Sequence, residues 1–141
     1  MKKIVFVVSE LNIGGAEKIL HDLVLALYQD ALLYNVTVIC LYKKGKLGEQ
    51  LSNQGVDIYE DVLKNKFDLM GVFKFINILK KKKPHILYIT GQSLTQAVVF
   101  VSSLFIKMPI SIIRFPTHDL ATKPYYRLLI NKASIYFAKK I

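Results

Sequence analysis

The sequence predicts an α/β fold, a Rossmann-like doubly wound parallel sheet with helices on both faces. Three observations carry this: apolar β-rich runs alternate with helical patterns, four of the five runs are almost continuously apolar, and the connections are short. Strands buried on both faces read as unbroken apolar runs, and parallel strands joined by helices need right-handed crossovers. The chain's 141 residues suit one domain of the usual roughly 100–200 residues.

The first strand is expected at Lys3 to Val8. Its lysines and short apolar run imitate a signal peptide, but Ile4 to Val8 falls short of the roughly 7–15 residue apolar region such a signal needs. Next, Ala16, Ile19, Leu20, Leu23 and Leu27 recur at helical spacing, which predicts a helix with Lys18, Asp22 and Gln29 toward water. A second strand is expected at Val36 to Tyr42, a short helix at Leu47 to Gln54 stopped by Gly55, and a third strand at Val56 to Tyr59. Leu69, Val72, Phe73, Ile76 and Leu79 form another helical stripe, closed by Lys80 to Lys83 and Pro84. Cations there complement the helix dipole.

Pro84 to Ile106 holds no charged residue, which raises the question of a membrane span. Gly91, Gln92, Ser93, Thr95 and Gln96 interrupt it, and Ala97 to Ile106 reaches only about 15 Å as a helix. A strand at His85 to Thr90 followed by a buried helix is the better reading. The fifth strand is expected at Ile110 to Phe115, and Tyr126, Leu129, Ile130, Ala133 and Tyr136 give a last helical stripe with Pro124 in its first turn.

Single Cys40 excludes a disulfide framework and fits a reducing compartment. No His, Asp or Glu cluster has metal-ligand spacing, so no metal is expected. The net charge of +10 is uneven: residues 1–63 carry −2, while residues 64–83 and 107–141 carry +6 each. This points to an anionic partner such as a membrane surface, although a solvated basic face reads equally well. No helix-turn-helix, RNA-binding signature or stacking pattern supports nucleic acid.

Ligands of doubly wound sheets bind beyond the carboxyl ends of the strands. The loop after Val8 reads Ser9-Glu10-Leu11-Asn12-Ile13-Gly14-Gly15-Ala16-Glu17. Gly14 and Gly15 at a helix start let backbone N–H groups approach a phosphate or a sugar hydroxyl; the plainer reading is a tight turn with Glu17 in the first helical turn. The pattern is neither G-x-G-x-x-G nor a P-loop, which excludes dinucleotide dehydrogenases and P-loop NTPases.

The run Lys3 to Val8, then Ile13-Gly14-Gly15-Ala16-Glu17 with Leu20, Leu23 and Leu27, resembles the start of family 4 glycosyltransferases, which have the GT-B fold. Gly45 to Leu51 with Gly55-Val56, and Lys83-Pro84 before an apolar strand, extend the resemblance. His85 departs from the family's usual Asp, and Tyr88 and Thr90 stand where a His is frequent, so no role is carried onto that strand end. Pro116-Thr117-His118-Asp119 resembles the loop in which the family places a His near the acceptor and the reacting sugar.

The resemblance implies an acceptor-side N-terminal domain, transferring a sugar from a nucleotide-sugar donor to a lipid-linked or saccharide acceptor, as in cell-surface polysaccharide or glycan synthesis. It implies His118 as the catalytic candidate, Gly14, Gly15 and Glu17 as donor-phosphate or acceptor contacts, and no cofactor beyond the donor itself. An imidazole at a strand's carboxyl end suits hydrogen bonding or proton transfer; a surface His without a role is the alternative, and Asp119 reads better as a helix cap. His21 and His85 read as structural or solvent-facing.

Measured against the family, residues 1–141 are expected to form a single, incomplete domain lacking its last strand, with the C-terminal nucleotide-sugar domain absent. A fragment, or one piece of a split enzyme completed by a second chain, follows from that, inactive alone. The expected place is the cytoplasm, on the inner face of the membrane. The competing function is a non-catalytic, membrane-associated or partner-binding module.

Overall fold

The computed structural model describes residues 1–90, 93–107 and 109–114. It contains the strands β1 (Lys2–Val8), β2 (Tyr34–Cys40), β3 (Asp57–Tyr59), β4 (Ile86–Thr90) and β5 (Ile110–Arg114). Between them lie the helices α1 (Gly15–Gln29), α2 (Gly45–Asn53), α3 (Leu69–Lys82) and α4 (Ser93–Ser103). All strand pairs are parallel, in the order β3-β2-β1-β4-β5. The Rossmann-like sheet expected from the sequence is therefore the fold.

Alternation along β1 divides the core in two, because successive side chains of a strand point to opposite faces. Val5 and Val7 pack with Phe75, Ile78 and Leu79 of α3 and Val98 and Val99 of α4. Ile4, Phe6 and Val8 pack on the other face with Leu20 and Val24 of α1 and Leu47 and Leu51 of α2. Helices thus cover both faces of the central strand.

Asp68 caps α3, accepting hydrogen bonds from the Gly71 N–H at 2.9 Å and the Lys64 N–H at 2.8 Å, and both hold its carboxyl below the usual range. At the far end Lys83 adopts a left-handed conformation (φ 48°) and its N–H bonds to the Leu79 carbonyl. Pro84 then prevents the helix from continuing.

Several expectations need correction. The buried face of α1 runs through Leu20, His21 and Val24, whereas Ala16, Ile19 and Leu23 are exposed. The stripe is turned by one residue, roughly 100° of helix. His21 is accordingly buried; its Nδ1 lies 2.9 Å from Asp22 Oδ1, and its Nε2 has no partner. β2 begins two residues earlier than expected and ends at Cys40, although the Leu41 and Tyr42 N–H groups still bond to the Val8 and Ser9 carbonyls. The apolar helix after β4 ends at Ser103, leaving Leu104 and Phe105 exposed. β5 is covered on one face only, since Ile110 and Ile112 are exposed. Phe115, the Pro116-Thr117-His118-Asp119 loop and the last helical stripe, Tyr126 to Tyr136, lie outside the described residues.

Candidate functional site

Strand order reverses direction between β1 and β4, and the connections from these neighbouring strands leave toward opposite faces of the sheet. Such a switch point opens a crevice at the strands' carboxyl ends. The crevice here is a cavity of about 30 Å³ lined by Val8, Ser9, Glu10 and Leu11 after β1, Ala16, Glu17 and Leu20 of α1, and Thr90 at the end of β4. It holds about one water molecule as it stands.

The two glycines at its rim differ in what surrounds them. Gly14 is the residue preceding α1, with an extended backbone (φ −165°, ψ 161°) that any residue adopts. A Cβ there would meet the Glu17 carboxylate, which folds back over Gly14 from the third helical position. Gly15 has open space where a Cβ would stand. Neither has a left-handed φ, so the tight-turn reading does not explain their being glycine. Gly15 therefore leaves open space at the start of α1, whereas the Glu17 carboxylate covers Gly14.

The loop that carries these groups is pinned from below. Leu11 is fully buried, and its carbonyl accepts the Leu47 N–H at 3.0 Å. Gly45 turns with φ +65°, and a Cβ there would stand 2.6 Å from both the Leu11 carbonyl oxygen and Asn12 Oδ1. Only glycine satisfies the conformation and the close approach together. Asn12 in turn donates to Glu10 Oε2 at 2.7 Å, fixing one of the two carboxylates at the cleft.

Beside Gly45, Lys44 Nζ lies 3.0 Å from Glu60 Oε1, and the Lys44 N–H reaches Glu60 Oε2 at 3.4 Å. The ammonium holds the Glu60 carboxyl below its ordinary value, and Glu60 raises Lys44. Cys40 ends β2 in this region, but burial, with Glu60 and Glu10 adding to it, pushes its thiol up to about 12. A thiol in that state is inert as a nucleophile.

Chemically, the cleft is acidic. Among the described residues, Glu10 and Glu17 line it and no Lys or Arg does. Carboxylates accept hydrogen bonds from hydroxyls and repel phosphates, while N–H groups at a helix start donate. Among the described residues no group of three or more His, Cys, Asp or Glu side chains gathers.

Of the residues the sequence singled out, Glu17 lines the cavity, while Gly14 and Gly15 stand just before its lining residues Ala16 and Glu17; His118 lies outside the described residues. Thr90 was set aside because it replaces a common His, yet it lines the cleft. The signal for it was topological, since it ends the strand paired with β1. Glu10 and Gly45 were also missed as site residues, and Gly45's role shows only once the loops after β1 and β2 are seen in contact.

No family model and no curated protein sequence matches the chain. Among solved structures it is similar to a glycosyltransferase from Rickettsia africae ESF-5, with a TM-score of 0.64 and 15% identity over 89% of this chain. It is also similar to a UDP-N-acetylglucosamine 2-epimerase, with a TM-score of 0.59 and 16% identity over 95% of this chain. The chain spans 32% of the first and 39% of the second. These likenesses show a shared fold.

Proposed function

We propose that this chain is the acceptor-side half of a glycosyltransferase resembling family 4, which moves a sugar from a nucleotide-sugar donor to a saccharide or lipid-linked acceptor. The observation that carries the reading is the cleft at the switch point, which Ala16 and Glu17 at the start of α1 line together with Glu10 and Thr90. The likeness to a glycosyltransferase and to an epimerase of UDP-N-acetylglucosamine supports it through the fold.

In this reading the carboxylates of Glu10 and Glu17 accept hydrogen bonds from sugar hydroxyls, and the N–H groups at the start of α1 donate to the ring substituents. The acidity of the cleft supports contact with the acceptor rather than with donor phosphates. His118 is the proposed contact to the transferring sugar, and a second Rossmann-like half supplies the donor site. Enzyme activity therefore belongs to the assembled protein.

Saturation-transfer NMR with a panel of methyl glycosides and with UDP tests the assignment. Saturation of sugar ring protons, abolished by Gly15→Leu with the fold unchanged, is the expected result. Saturation of uracil protons alone, or of none, overturns it.

A further inference from the structure

The sugar cleft leaves the basic, C-terminal side of the charge distribution unused, and there the structure brings lysines and exposed apolar side chains onto one face. The outer side of α3 presents Met70, Phe73, Lys74 and Lys80, and Phe73 meets Phe105 from the end of α4 with ring centroids 6.1 Å apart. Both rings are half or more exposed, at 50% and 59%. In the loop before α3, Phe67 is 91% exposed between Lys66 and the helix cap. Large apolar side chains gathered in this way mark a contact surface.

Beyond Phe105 the face continues into a groove of about 410 Å³. Leu79, Pro84, Ile106 and Pro109 form its floor, and Lys80, Lys83 and Lys107 surround it. None of these three lysines forms an ion pair among the described residues, whereas neighbouring Lys82 is engaged by Asp57 and lies over the Tyr59 ring. Residues 64–83 hold seven Lys against one Asp. The face is thus positively charged and apolar at once.

We propose that this α3–α4 face docks the chain on an anionic phospholipid surface, with Phe73 and Phe105 entering the acyl boundary and Lys80, Lys83 and Lys107 meeting headgroup phosphates. Charge complementarity selects anionic lipid, and the aromatic anchors distinguish a bilayer from a free phosphate, which would leave them in water. No helix among the described residues is long and apolar enough to cross a membrane. Contact is therefore made along the surface. The proposal does not depend on the sugar-binding reading, because the two sites share no residue.

Sedimentation of the full chain with vesicles tests it, comparing phosphatidylcholine alone with an equal mixture of phosphatidylcholine and phosphatidylglycerol. Binding is expected only to the anionic vesicles and to weaken with added salt. Removing two lysines together, Lys80→Gln with Lys107→Gln, is expected to weaken it about fivefold per lysine, and Phe73→Ser with Phe105→Ser about tenfold. Circular dichroism checks the fold of each variant, and the lysine pair decides alone if the phenylalanine pair unfolds. No sedimentation with anionic vesicles, equal binding to neutral ones, release by millimolar inorganic phosphate, or binding unchanged in the folded variants would each overturn the proposal.

Discussion

Gly45 and Gly15 show how two glycines in one neighbourhood serve opposite ends. Gly45 is held by its φ of +65° and by the Leu11 carbonyl, so Gly45→Ala is expected to destabilise the protein by about 1–2 kcal/mol from backbone conformation alone, with the contact adding more. Gly15 has open space beside it, and Gly15→Ala is expected to leave stability within about 0.5 kcal/mol. Urea denaturation of the two variants separates the cases, and equal losses would contradict the loop geometry.

The pair beside Gly45 gives the same neighbourhood a pH dependence. Glu60 is lowered from its ordinary 4.5 by the Lys44 ammonium, so the folded state binds its proton less readily than the unfolded chain does. Its contribution is present above the ordinary value and is lost as pH falls through the lowered folded value. Thermal midpoints measured on descending pH should therefore decline less steeply through that interval in Lys44→Met than in the native chain. An identical decline would remove Lys44 as the cause.

At the scale of elements, α3 separates burial from exposure within two residues. Phe75 is fully buried among Val5, Leu79 and Leu87, and Phe75→Ala is expected to lose about 3–5 kcal/mol. Phe73→Ala is expected to lose only about 1–2 kcal/mol, because its ring is half exposed and packs against Phe105 alone among aromatic side chains of the described residues. The contrast, read by chemical denaturation, tests the orientation of the helix on which the docking face depends.

The sequence marked the C-terminal end of α3, but it chose the buried faces of α3 and α1 only in part, for a physical reason. In α3, the lysines and Pro84 mark the end, and Ile76 and Leu79 of its apolar stripe face the core, but Leu69 and Phe73 of that stripe are exposed and Phe75 and Ile78 are buried in their place. In α1 the apolar residues Ala16, Ile19, Leu20, Leu23, Val24, Leu25, Ala26 and Leu27 surround most of the helix, so spacing alone does not choose a face. Burial of His21 against that pattern is a tertiary outcome. β2 was displaced at both ends because its bonding runs past Cys40 without strand geometry, which no residue type signals.

Across the whole molecule, the sheet and its switch point were legible because the almost continuously apolar runs Ile4 to Val8 and Val36 to Leu41 leave little alternative to buried parallel strands. The glycine pair and Glu17 were legible as a motif, while Thr90 and Gly45 entered the site only through strand order and loop contact. Charge follows the same division. The acidic N-terminal part supplies Glu10 and Glu17 to the cleft, and the basic stretch 64–83 supplies the face on the far side of the sheet.

The central claim, that the cleft between β1 and β4 takes a sugar, is tested most directly by mapping backbone amide shifts of the chain during titration with the methyl glycoside that saturates most strongly. The account predicts shifts concentrated at Ser9 to Glu17 and at Thr90. Shifts confined to the basic groove around Lys80 and Lys107, with the cleft unmoved, would contradict it.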